Sequence, residues 1–241
     1  RITVGPEAID FGDTQVGTAA TEAFTIENIG GAALEGTISL SGEAFTIAEG
    51  EETFALDSGE TQDVAVTFAP GVASSFEGTV AIGHNASNAP DPVEVALTGD
   101  GLAPAIAVDR EALELGSVEV GDSRNETLTI ENAGSAPLEG EVTLTQDGDA
   151  FTLTEGEGGF ALAPEQTQDV AVTFTPGEAS SFKGTVAISH NASNEPDPVE
   201  VAVTGEAVTP AIAVSSEAVE FGSVEVGDSR NETLTIENTG S

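Results

Sequence analysis

The segment Gln62–Gly99, QDVAVTFAPGVASSFEGTVAIGHNASNAPDPVEVALTG, returns at Gln168–Gly205 with six of its thirty-eight positions changed. A chain that repeats itself this closely must build the same unit twice, which constrains its fold more than any other property it has. In each copy three runs alternate apolar and polar residues with a period of two, the pattern of strands with one buried and one wet face. Val64, Val66 and Phe68 point one way, Gly78, Val80 and Ile82 do so after the turn at Pro70-Gly71, and Val93, Val95 and Leu97 follow the Asn88–Pro92 break. The repeated unit is therefore a β-module, and the chain is a tandem array of such modules.

The rest of the chain keeps the same rhythm. Ile2–Val4 and Ile9–Phe11 are short alternating pieces separated by Gly5-Pro6, with Gly12 closing them in a turn, and the motif recurs from Ile106 and again from Ile212. Ala23–Asn28 reads as a strand with Phe24 and Ile26 inward; its counterparts carry Leu128 and Ile130, then Leu234 and Ile236. Leu34, Gly36, Ile38 and Leu40 form the next strand, followed by the small pieces Phe45–Ile47 and Phe54–Leu56. The offset between copies grows from 104 to 106 residues at Gln146–Asp149, a polar turn where insertion costs little.

Seven or eight short strands per copy, frequent turn signals and no helical periodicity predict an all-β fold of tandem immunoglobulin-like sandwiches with antiparallel strands. The expected domains are residues 1–99 and 104–205, with 210–241 as the N-terminal part of an incomplete third repeat. The links Gly99–Pro104 and Gly205–Pro210 are short and end in proline, which favours an extended string. The Cys and Trp residues of antibody cores are absent, so phenylalanine and β-branched side chains must fill the interior.

Phe11, Gly12, Val16, Gly17, Ile26, Asn28, Gly30, Phe68, Pro70, Gly78 and Gly99, with their repeats, carry a family resemblance. The chain resembles the choice-of-anchor D family and is similar to the Hydin and abnormal-spindle (ASH) type modules, whose immunoglobulin-like fold is related to major sperm protein. The resemblance covers essentially the whole chain and implies the fold more sharply than the function. Such modules occur in anchored surface proteins of bacteria and haloarchaea and also in ciliary and centrosomal proteins.

Charge narrows the habitat. Forty-three acidic and five basic residues give a formal net charge of −38. Disorder is the bland reading of such acidity, but regular alternation and 39% hydrophobic content argue for a folded protein with carboxylate-saturated faces. Molar salt makes that tolerable, because the Debye length falls to about 3 Å at 1 M ionic strength. The acidity points to the haloarchaeal branch of the resemblance. Nucleic acid is not an expected partner, since Arg1, Arg110, Arg124, Lys183 and Arg230 are scattered, and anionic membrane surfaces are disfavoured in the same way. No run of eighteen apolar residues predicts a membrane span, and the start at Arg1 reads as a processed or excerpted chain. Without cysteine there is neither a disulfide framework nor a thiolate metal site.

Candidate chemistry is sparse. His84 and His190, each before Asn at a strand end, read as structural histidines at the sandwich rim, because a metal or acid–base role needs convergent partners. Asn28, Asn132 and Asn238 precede turns in which an amide satisfies backbone groups. No calcium loop occurs, and Asp147-Gly-Asp149 is too short a match. Nucleophile elbows, phosphate loops and zinc motifs are missing too, so no catalytic residue, cofactor or metal is assigned. Four N-x-S/T sequons, at Asn85, Asn125, Asn191 and Asn231, point to an exported, N-glycosylated protein.

The function expected from these residues is a non-catalytic structural and interaction repeat region, a stalk or filament segment of a secreted cell-surface protein of a halophile. Its expected partners are neighbouring repeats or subunits of the same surface protein. Two alternatives stand beside it: an adhesin-type module binding a glycan or protein through sandwich loops, and a spacer next to an enzyme domain in a longer parent. The dispersed exchanges Val72/Glu178, Glu77/Lys183 and Ala89/Glu195 favour a spacer over a binding loop cluster. Residues 212–241 hold core-type positions without their covering strands. They are expected to pack against strands that follow in the parent or that another subunit adds as a complementing partner, or else to be poorly ordered.

Overall fold

A computed structural model describes residues 1–240. All regular structure in it is strand. The chain divides into two compact units, one of Arg1–Ala105 with Gly134–Pro137, the other of Ile106–Ala133 with the chain from Leu138 onward.

The first unit has nine strands: β1 (Ile2–Gly5), β2 (Ala8–Gln15), β3 (Ala20–Asn28), β4 (Leu34–Ser41), β5 (Phe45–Glu49), β6 (Thr53–Leu56), β7 (Thr61–Phe68), β8 (Ser75–His84) and β9 (Val93–Leu102). They form a four-stranded sheet, β1-β3-β7-β5, and a five-stranded sheet, β2-β9-β8-β4-β6. Alternation decides what lies between them. Phe24 and Ile26 of β3, Val64, Val66 and Phe68 of β7, Val80 and Ile82 of β8, and Val95 and Leu97 of β9 are all buried. The all-β immunoglobulin-like sandwich is thus the fold observed.

Three details differ from the sequence reading. Each module has nine strands rather than seven or eight, because the small Phe45 and Phe54 pieces are separate strands at the edges of different sheets. The sheets are not wholly antiparallel either, since β2 runs parallel to β9. Gly12, finally, does not close a turn. It takes φ +59° inside β2, where the register shifts between Asp10 and Asp13, so the inward set changes parity from Ile9 and Phe11 to Thr14.

The second unit repeats this plan with β10 (Ile106–Val108), β11 (Ala112–Glu119), β12 (Arg124–Asn132), β13 (Leu138–Gln146), β14 (Phe151–Glu155), β15 (Gly158–Leu162), β16 (Thr167–Phe174), β17 (Ser181–His190) and β18 (Val199–Val208). Its sheets are β10-β12-β16-β14 and β11-β18-β17-β13-β15. Phe151 stacks on Phe174 with ring centroids 5.0 Å apart, as Phe45 does on Phe68. Each ring of the β7/β16 phenylalanine needs the glycine beside it: a Cβ on Gly99 or Gly205 would stand 2.7 Å from Phe68 or Phe174. The two-residue insertion is a polar bend at Asp147–Asp149 that Gln146, the last residue of β13, ties down by clamping Phe151. Its Nε2 donates to the Phe151 carbonyl at 2.7 Å and its Oε1 accepts the Phe151 N–H at 2.8 Å. Beyond β18, β19 (Ile212–Val214) and β20 (Ile236–Asn238) pair only with each other.

Candidate functional site

The polar residues that stand out in the sequence hold the ends of the sandwich together. Asn28 is fully buried; its Nδ2 donates to the carbonyls of Ala32 and Leu56, and its Oδ1 accepts the Gly30 N–H, all at 2.9 Å. Asn132 repeats the bond across the sandwich to Leu162 at 2.9 Å. His84 is buried at the end of β8, with Nδ1 accepting the Ala86 N–H at 3.1 Å and Nε2 lying 2.8 Å from the Pro90 carbonyl oxygen. This geometry requires the ring proton on Nε2 and leaves no nitrogen for a ligand. His190 makes the same Nε2 contact with Pro196 at 3.0 Å. Asp91 and Asp197 accept the backbone N–H of His84 and His190, each at 3.0 Å.

A further clamp escaped sequence reasoning. Asn88 holds the first strand at both ends of one residue: the Ile2 N–H donates to its Oδ1 at 2.9 Å, and its Nδ2 donates back to the Ile2 carbonyl at 2.9 Å. Asn194 does the same to Ile106 at 3.0 and 2.8 Å. The recurrence of an amide at that point of both loops was the available signal.

All four sequon asparagines are exposed. Asn85 and Asn191 follow β8 and β17, and their Oδ1 atoms accept the N–H of Glu35 and Glu139 at 3.2 and 3.0 Å. An N-linked glycan is attached through Nδ2; in Asn85 that nitrogen donates one hydrogen to the Ala33 carbonyl at 3.4 Å, which leaves its second hydrogen to be replaced. Asn125 lies in β12 opposite Thr173 of β16, on the solvent side of that strand, and Asn231 is its counterpart in the third copy.

Carboxylates cover the outer faces, but they meet hydroxyls more often than cations. Thr25 donates to Asp63 at 2.6 Å and Thr129 to Asp169 at 2.9 Å. Ion pairs among the described residues involve only Arg110 with Asp109 and Glu126, Arg124 with Glu126, and Arg230 with Glu232. No group of three or more metal-type ligands converges among the described residues, and no helix there is long and apolar enough to cross a membrane. Asp147 and Asp149 flank Gly148 in a polar turn and build no cation site.

The third copy exposes apolar side chains. Residues 212–241 differ from 106–135 at five of thirty positions, and Gly222–Asn238 is identical to Gly116–Asn132. Side chains buried in the second module stand in solvent here: Leu128 is 0% exposed and Leu234 is 42%, while Ile130 is 0% and Ile236 65%. A groove of about 350 Å³ runs along the ribbon, lined by Pro210, Ala211, Ile212, Ile236, Glu237 and Asn238.

Two family models match. Residues 1–100 match the HYDIN/CFA65/VesB-like, Ig-like domain, and residues 103–206 match Cep192 domain 4. Together they support an ASH/Hydin-type immunoglobulin-like assignment for both modules, and the matched domains are structural rather than enzymatic. A cilia- and flagella-associated protein 65 from Chlamydomonas reinhardtii is 26% identical over 242 residues, covering 97% of this chain. The chain spans only 11% of that relative's length. Among solved structures, a Porphyromonas gingivalis W83 protein of unknown function aligns with TM-score 0.36 and 14% identity over 85% of this chain and 99% of its own. The ASH/PapD-like domain 7 of human CEP192 aligns with TM-score 0.37 and 14% identity over 44% of this chain and 86% of its own.

Proposed function

We propose that this chain is a non-catalytic repeat region, a stalk or filament segment, of a secreted cell-surface protein of a halophile. The observation that carries the reading is the pairing of a net charge of −38 with two closed sandwiches of the same strand order, whose Gln62–Gly99 and Gln168–Gly205 segments are nearly identical. The buried Asn28, Asn132, His84 and His190 at the ends of these sandwiches all bond backbone groups, which suits a spacer; His190 Nδ1 alone is left without a partner among the described residues. Neighbouring repeats or subunits of the same surface protein are its partners in this reading, and its acidic faces carry N-linked glycans.

A second reading, a ciliary or centrosomal scaffold segment, is favoured by the name of the Chlamydomonas relative and by the centrosomal family matched at 103–206. Glycosylation separates the two. Intact-mass and glycopeptide analysis of the natively expressed protein is expected to find glycan on Asn85, Asn125, Asn191 or Asn231. Bare asparagine at all four would remove the export argument and leave the scaffold reading ahead.

A further inference from the structure

We infer that the open seam of the second module, between β10 and the start of β18, is a binding site for an extended segment of another protein that alternates basic and apolar residues. Such a partner is distinct from the neighbouring repeats and subunits of the repeat-region reading, and the site does not depend on that reading.

Two strand edges without a neighbour line the seam. β10 is the outermost strand of its sheet. The Ile106 N–H and carbonyl, which point away from β12, are taken up by Asn194 at 3.0 and 2.8 Å. These directions repeat every second residue of an antiparallel pair, so Val108 also turns its N–H and carbonyl outward, where no strand lies beside it. On the other wall, Ala202 donates its N–H to the Glu111 carbonyl at 3.4 Å, on the side where β11 pairs with β18 from Ala112 onward. Glu200 points its backbone groups to the same side but lies ahead of the paired stretch.

Between these edges runs a groove of about 450 Å³, within the size range of ligand-binding clefts. Its floor is aliphatic: Ile106 and Val201 are buried, Val108 and Val199 half-buried. Glu111, Glu195 and Glu200 on its rim are exposed and form no ion pair among the described residues, whereas Arg110 is already paired with Asp109 and Glu126. A strand laid in the groove sets every second side chain on the valines and turns the others to the carboxylates. Those others must be basic to match the rim. A second copy of this chain offers no such strand, because its closest basic residues in sequence, Arg110 and Arg124, are fourteen positions apart. The first module has less room and less charge at the matching place, with Thr3 for Ala107, Ile29 for Ala133 and Ala89 for Glu195. The site is therefore assigned to the second module alone.

The test titrates the 241-residue protein in molar KCl with a fluorescent peptide of seven alternating Lys and Val residues, blocked at both ends. Anisotropy should report a 1:1 complex, and the Val108 and Glu200 amides should gain hydrogen-exchange protection. The same peptide with Glu in place of Lys should not bind. Ala107→Thr combined with Ala133→Ile brings in the first module's residues without changing charge, and Glu195→Ala removes one carboxylate. Each should weaken binding by about tenfold or more, while Glu141→Ala, at an exposed position of β13, should leave it unchanged. No complex with the Lys peptide overturns the inference. So does binding that the charge-neutral double variant leaves intact, which would assign the attraction to the acidic faces at large. If that variant does not fold, Glu195→Ala against Glu141→Ala decides, and equal binding by the two overturns the inference as well.

Discussion

One amide appears in two settings, and its surroundings decide what it is worth. Asn28 serves two carbonyls and an N–H in the closed end of the first module, fully shielded from solvent. Asn238, at the same place in the third copy, accepts the Gly240 N–H at 3.0 Å but is exposed. Leaving buried backbone groups unpaired costs their desolvation, about 1–3 kcal/mol per group, partly relieved by relaxation. Asn28→Ala is therefore expected to destabilise the first module by roughly 2–4 kcal/mol, whereas Asn238→Ala should change stability by less than about 0.5 kcal/mol. Calorimetry of the full chain checks both at once, since only the Asn28 variant should lower the transition of one module while leaving that of the other in place. A single unshifted transition in the Asn28 variant would show that the buried amide contributes little.

The elements make the stronger case that strand formation here follows pairing rather than propensity. The seventeen residues Gly116–Asn132 and Gly222–Asn238 are identical, yet the first set forms the end of β11 and all of β12 while the second yields only β20. What differs is the neighbour: β16 and β18 lie beside the first, whereas among the described residues only β19 pairs with the second. Exchange of the Leu128 and Ile130 amides should accordingly follow global opening, and that of Leu234 and Ile236 should approach the unprotected rate. Residue-resolved NMR exchange measures this, and equal protection at the two sites would refute it. The same contrast explains what the sequence could reveal. Alternation marks Val64, Val66, Phe68, Val80 and Ile82 as core, because a two-residue period needs only the strand itself to be read. The parallel β2–β9 pair, the parity change at Gly12 and the Asn88 clamp depend on a second segment, 86 to 88 residues away in the case of Asn88 with Ile2 and Thr98 with Asp10, so local pattern carries no sign of them. Asn28 and His84 were legible as structural because turn and strand-end positions imply their partners locally, whereas the reach of Asn28 to Leu56 was not.

At the scale of the whole molecule the net charge of −38 dominates. The ion pairs engage Arg110, Arg124 and Arg230 with three carboxylates and leave most of the forty-three acids facing only water, hydroxyls or one another. Asp13 and Asp100 even oppose each other in register. Two carboxylates about 7 Å apart repel by about 0.6 kcal/mol in water. Dozens of such terms at low ionic strength rival the about 5–15 kcal/mol by which a domain is stable. At 1 M salt, with a Debye length of about 3 Å, most of them vanish. Circular-dichroism melts at 2 M KCl and at 50 mM should therefore differ widely: a loss of about 3 kcal/mol lowers the midpoint of a domain this size by roughly 12–24 °C. Concentrated salt also strengthens apolar burial, so screening has to be separated from that effect. Guanidinium chloride does so, because at a few tenths molar it screens as a salt while weakening apolar contacts. Starting from 50 mM buffer, it should first raise the melting temperature before lowering it, while urea at the same concentration should only lower it. Equal melting temperatures in dilute and molar KCl would sink the halophile reading, and a salt gain without the initial guanidinium rise would assign the effect to apolar burial instead of charge.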